Sequence, residues 1–184
     1  AQVVAEEFQV DIDRVKITAT TTGKVPNTSP TAASSGSDLN GMAALDAART
    51  LRARLAAFAA ARYGGDAGEV RFTDGRVTAG DAQMSFAELA RAAYFARVPL
   101  SATGFYATPK IHYDPKTLSG RPFFYFAYGA AVSEVAIDTL TGEHRLLAVD
   151  ILHDVGRSLN PALDRGQIEG GFIQGYGWLA LEEL

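Results

Sequence analysis

The chain has 184 residues, 47% hydrophobic and 21% charged, a balance that argues against disorder and leaves enough apolar side chains for a buried core. Its 17 lysines and arginines are outnumbered by 21 acidic residues, for a net charge of −4, which removes the electrostatic case for binding nucleic acid. With no cysteine it offers no disulfide, no thiol nucleophile and no thiolate for zinc or an iron–sulfur cluster; this suits a reducing compartment, and a cytoplasmic protein is expected.

The chain enters on AQVVAEEF, where Val4 and Phe8 sit one helical turn apart, and a helix is predicted there. Because it starts on Ala1 within a helix-like run, a piece of a longer protein is expected. Val15, Ile17 and Ala19 then alternate with Lys16 and Thr18 as a half-buried strand would. Thr28 to Asp38 reads TSPTAASSGSD, without a large side chain. Its backbone amides and the hydroxyls of Thr31, Ser34, Ser35 and Ser37 suit an anionic or hydrogen-bond-accepting ligand at a helix start, and equally a Ser/Thr turn before a capped helix. Neither GK(S/T) nor GxGxxG accompanies it, which argues against an ordinary nucleotide site.

Met42, Leu45, Ala48, Leu51, Leu55 and Phe58 recur every three or four residues and predict a long amphipathic helix over 39–62, with Ser37 or Asp38 as cap and Gly64-Gly65 as stop. Arg49, Arg52, Arg54 and Arg62 read as its solvated face. EVRFTDGRVTA predicts a hairpin turning at Asp74-Gly75, and Ser85 to Glu88 a capping box heading a second helix. FFYFAYGAAVSEVAID and HRLLAVDILHDV, joined by TLTGE, predict a long antiparallel hairpin with Val135 and Ile137 facing Leu147, Val149 and Ile151, buried on at least one face.

Asn160-Pro161 predicts a final helix, yet Gly166, Gly170, Gly171, Gly175 and Gly177 lie inside it, each costing about 1 kcal/mol relative to alanine. The glycines clear a stripe for close approach by another helix, a loop or a cofactor. GGFIQGYGWLAL falls short of the ~20 residues a membrane span needs, and Gln174 interrupts it; the N-terminus has no signal-peptide core, so no membrane partner is expected. His112, His144 and His153 show no metal-ligand spacing, and no GxSxG nucleophile elbow occurs. Glu134 reads either as a buried functional carboxylate or, more simply, as an edge or paired glutamate.

Three segments together, KVPNTSPTAASSGSDLNG, LSATGFYATP, and the run from GRPFFYFAYGAAVSEVAID through GRSLNPALDRGQIEGGFIQGYGWLALEEL, closely resemble the large molybdopterin-binding subunit of bacterial xanthine dehydrogenases, in the molybdenum hydroxylase family. The resemblance runs from Ala1 to Leu184 and implies an α+β fold of two-layer mixed β-sheets with helices packed on one side, residues 1–184 forming a single incomplete segment of the molybdopterin-binding domain. It implies a molybdenum–molybdopterin cofactor contacted by Ala33, Ser34, Gly36 and Gln167, with Ala32 and Ala33 flanking the substrate. Gly36 stands where relatives carry serine, so that one contact is lost or passes to the backbone.

The implied reaction is hydroxylation of a purine, hypoxanthine or xanthine to urate, with electrons leaving through 2Fe-2S clusters and FAD to NAD in other domains or subunits. The implied partners are the purine, the remainder of the molybdopterin subunit and an iron–sulfur/FAD subunit, in a hetero-oligomer. No side chain here is expected to ligate the metal, and no catalytic base: the family's GEPP-like glutamate would lie C-terminal to Leu184, and its GQG motif upstream of Ala1. The alternatives are a related molybdenum hydroxylase acting on an aldehyde or another N-heterocycle, and a non-catalytic scaffold or interaction domain.

Overall fold

Ala5 and Phe8 are the buried positions of helix α1 (Gln2–Phe8), which ends on a left-handed Gln9 at φ 53°. They set the first contacts of a computed structural model that describes residues 1–24 and 34–183. The chain divides into two compact units, Ala1–Pro109 and Lys110–Leu184, each described by itself.

In the first unit a short 3-10 turn (Ile12–Arg14) follows α1, with the Asp11 side chain accepting from the Asp13 amide. No strand forms over 15–19: alternation needs a partner strand to become a ladder, and Ile17 is 76% exposed. A π-helical turn (Gly36–Asn40) runs directly into α2 (Gly41–Tyr63), whose last amide-to-carbonyl bond, Gly64 to Ala60, closes on a glycine at φ 93°. Neither Ser37 nor Asp38 provides the expected side-chain cap, although Asp38 Oδ1 accepts from the Leu39 amide at 2.8 Å.

The hairpin of β1 (Arg71–Thr73) and β2 (Arg76–Ala79) turns where expected: Asp74 and Gly75 both take positive φ, the twist that matches paired strands. Strand β3 (Ala82–Ser85) completes an antiparallel sheet, and Ser85 then caps α3 (Phe86–Phe95) through the predicted box. The Ser85 backbone amide and hydroxyl both donate to Glu88, which holds that carboxyl below its ordinary range.

Phe8, Ala48, Leu55, Ala59, Phe72, Val77, Leu89 and Ala93 share one core, so α1, α2 and α3 bury their apolar stripes against one face of the sheet. Leu89 and Val77 are fully enclosed, each contributing about 1.5–3 kcal/mol by burial. The α2 arginines are not simply a solvated face. Arg52 meets Glu7 at 3.4 Å and lies 5.0 Å over the Phe72 ring, tying α1 and the sheet to α2. Arg54 donates to the Ser101 carbonyl at 2.8 Å, and the Phe105 amide donates to Asp46 at 3.2 Å. These bonds lay segment 99–105 along α2, so closely that a Cβ on Gly104 would run into the Ala43 carbonyl.

The second unit begins with the short pair β4 (His112–Asp114) and β5 (Ser119–Arg121). The long hairpin is present as β6 (Gly129–Ile137) and β7 (His144–His153). A register shift at Glu134/Val135 alters the expected facing, pairing Val135 with Leu146 and Ile137 with His144. The expected burial is not seen: Val132, Val135, Ile137, Leu147 and Leu152 are all at least half exposed, because a two-stranded ribbon has no second layer of its own to cover it. Helix α4 (Pro161–Ala180) closes the unit and has no buried residue. The α+β class is as expected, with every pairing among the described strands antiparallel.

Gly104→Ala is expected to lower the chain's unfolding free energy in urea by about 1–3 kcal/mol, the usual cost of forcing a group into occupied space. Unchanged stability would show that segment 99–105 does not lie on α2.

Candidate functional site

Two of the residues singled out by resemblance, Ala32 and Ala33, lie outside the described residues. Ser34 is exposed on a bend, and Gly36 opens the π-helical turn. The turn and α2 form one helical run, whose opening amides, those of Gly36 and Ser37, find no acceptor inside the helix and sit at the positive end of its dipole. A Cβ on Gly36 would meet nothing within 4 Å among the described residues, so crowding by them does not demand glycine there, and a contact at this position can come from the backbone.

Gln167 belongs to the second unit, on α4, and is exposed. The start of that helix is firmly specified: Asn160 Oδ1 accepts from the Leu163 amide at 3.3 Å, Pro161 occupies the first turn, and the Ser158 hydroxyl donates to Asp164. Arg165 and Glu169 pair one turn apart at 2.6 Å, a hydrogen bond that pushes the arginine pKa further up but, on an open surface, adds little stability.

The glycines of α4 do not mark close packing by the chain itself. A Cβ built on Gly166, Gly170, Gly171 or Gly175 would meet nothing within 4 Å among the described residues. At about 100° per residue, Gln167, Gly171, Gln174, Gly175 and Trp178 follow one another along one side of the helix. There Gly171, Gln174, Gly175, Trp178 and Glu182 line an open depression. The floor is bare backbone, a cradle that side chains would fill. Its lining carries the neutral carboxamide of Gln174, which both donates and accepts, the indole of Trp178 and the carboxylate of Glu182, and Gln167 lies one helical turn before Gly171 on the same side of the helix. This donor set fits a planar heterocycle with amide-like edges, such as a pterin.

Gln174 and Trp178 were legible as neighbours of Gln167 through their helical spacing but were not singled out. Another contact left no local signal: His144 Nε2 lies 3.0 Å from the Tyr176 hydroxyl, with the rings edge to face at 5.9 Å. Glu134 is exposed on β6 opposite Ala148, not a buried carboxylate within this chain. Among the described residues no three His, Cys, Asp or Glu side chains gather as a metal site, and no helix is long and apolar enough to cross a membrane.

Comparison with known proteins gives these features a context. The family model for the molybdopterin cofactor-binding domain matches residues 1–184. Xanthine dehydrogenase of Oryza sativa subsp. japonica is 48% identical over 184 residues, and that of Calliphora vicina 49%, in each case across 100% of this chain and 12% of the relative. The xanthine dehydrogenase/oxidase of Felis catus is 46% identical over 183 residues, again with 12% of its length covered. The chain therefore spans about 12% of the length of the curated relatives it matches. Among solved structures, quinoline 2-oxidoreductase from Pseudomonas putida 86 superposes with a TM-score of 0.70 at 27% identity, covering 95% of this chain and 22% of that one. With its whole length matched, the chain belongs to the molybdopterin cofactor-binding domain family.

Proposed function

We propose that this chain lines the molybdopterin and substrate site of a xanthine dehydrogenase-like molybdenum hydroxylase. The observation that carries the reading is the bare, amide-rimmed face of α4 with Gln167 at its head, in a chain aligned throughout with proteins named xanthine dehydrogenase. Gln167 would hydrogen-bond the pterin; Ala33, Ser34 and the backbone at Gly36 would also be cofactor contacts. Ala32 and Ala33 would keep the substrate side open, since a larger side chain would occupy that space. When bound, the cofactor supplies two-electron oxidative hydroxylation of a purine carbon.

The general base comes from outside this chain, as do the 2Fe-2S clusters, FAD and NAD that carry electrons away. The exposed apolar hairpin supports a further part of the reading: Val132, Val135, Ile137 and Leu152 form the kind of surface that other protein covers, here the remainder of the molybdopterin subunit. An iron–sulfur/FAD subunit completes a hetero-oligomer, residues 1–184 make a single incomplete segment of the cofactor domain, and the enzyme is cytoplasmic. The quinoline 2-oxidoreductase likeness favours a second reading, another N-heterocycle as substrate, which side-by-side assays with xanthine and quinoline distinguish.

Ala33→Phe in the complete enzyme is expected to abolish purine oxidation while the protein still folds, followed by urate formation and molybdenum content on the same sample. Normal turnover would show that the loop does not line the site.

Gly170→Ala and Gly171→Ala should each stabilise the 184-residue chain by about 1 kcal/mol, because the added methyl group meets open space and improves helix propensity. In the complete enzyme the bulkier Gly170→Leu and Gly171→Leu should lower molybdenum content. A complete enzyme that keeps full molybdenum with both leucines would mean that α4 does not approach the cofactor.

A further inference from the structure

We propose that His144 and Tyr176 are positioning residues: their contact fixes the rotation of α4 about its own axis and so keeps Gln167 and the glycine face turned away from the hairpin. The inference rests on the reading of Gln167 as a cofactor contact. Tyr176 and Gln167 are about two and a half helical turns apart, which sets them on opposite sides of α4. Seating Tyr176 on the hairpin therefore presents Gln167 on the other side.

The helix needs such a fixture. It has no buried residue, and its glycines remove the side chains that would otherwise key its rotation by packing. The hairpin end that receives Tyr176 is well braced. His144 pairs with Ile137 at the last rung of the ladder. Behind it the turn is closed by the Asp138 amide on the Glu143 carbonyl and the Gly142 amide on the Asp138 carbonyl, both at 2.8 Å, while Asp138 Oδ1 accepts from the Leu140 amide. His144 thus stands on fixed backbone, and the 3.0 Å bond with the edge-to-face rings gives both direction and distance to Tyr176.

The test is molybdenum loss over time from the loaded complete enzyme, read by elemental analysis after gel filtration, with melting temperature measured in parallel. Tyr176→Phe, which keeps the ring and loses the hydroxyl, should speed loss about fivefold, the effect of one hydrogen bond. His144→Ala should do the same, and His144→Gln, which can still reach the hydroxyl, should restore slow loss. Gln167→Ala should speed loss by itself but add little to Tyr176→Ala, because both break one arrangement. If Gln167→Ala speeds loss while the His144 and Tyr176 variants only lower the melting temperature, or if the effects simply add, the positioning role is overturned. If Gln167→Ala leaves the loss rate unchanged, the cofactor role of α4 fails, and the positioning role falls with it.

Discussion

Gly166, Gly170, Gly171 and Gly175 leave the backbone of α4 bare, and a helix gives up about 1 kcal/mol for each such residue relative to alanine. Nothing among the described residues of the chain occupies the space this creates. The helix persists because its start is over-specified by Asn160, Pro161 and the Ser158–Asp164 bond, and because Tyr176 is seated on His144. The rest of the second unit follows from that constraint: a braced hairpin on one side, and a face of backbone, carboxamides and one indole on the other.

The two units solve the burial problem differently. The first encloses a core of its own, in which Leu89, Val77 and Ala59 are fully buried and the Glu7–Arg52–Phe72 contacts fasten α1 and the sheet to α2. The second encloses none among its described residues: α4 has no buried residue, and both strands of its long hairpin carry exposed valine, isoleucine and leucine. Such an unlidded ribbon is marginal by itself and suits a segment completed by other protein.

Much of this was legible in the sequence wherever the signal is local. The Asp74-Gly75 turn, the Ser85–Glu88 box, the Asn160-Pro161 helix start and the Gly64 stop each depend on a few adjacent residues, and each stands in the structure. The failures lie where a partner decides. Val15 to Ala19 alternates without a strand to pair with among the described residues, the bulge at Glu134 shifts the hairpin's facing, and the α2 arginines find Glu7, Phe72 and Ser101 far along the chain. The same limit applied to the site. Gln167, Ser34 and Gly36 could be named by resemblance, and the spacing to Gln174 and Trp178 was there to be read, whereas the meeting of His144 and Tyr176 depends on the hairpin's register and on how α4 folds back.

The proposed role of α4 is to present its glycine face to the cofactor. Amide hydrogen exchange across residues 161–180 in the complete enzyme, loaded with molybdopterin and stripped of it, tests this most directly. Loading should slow exchange in peptides covering Gln167 to Gly175 while leaving the enclosed core around Leu89 unchanged. Identical exchange over α4 in the two forms would show that the cofactor does not reach this helix.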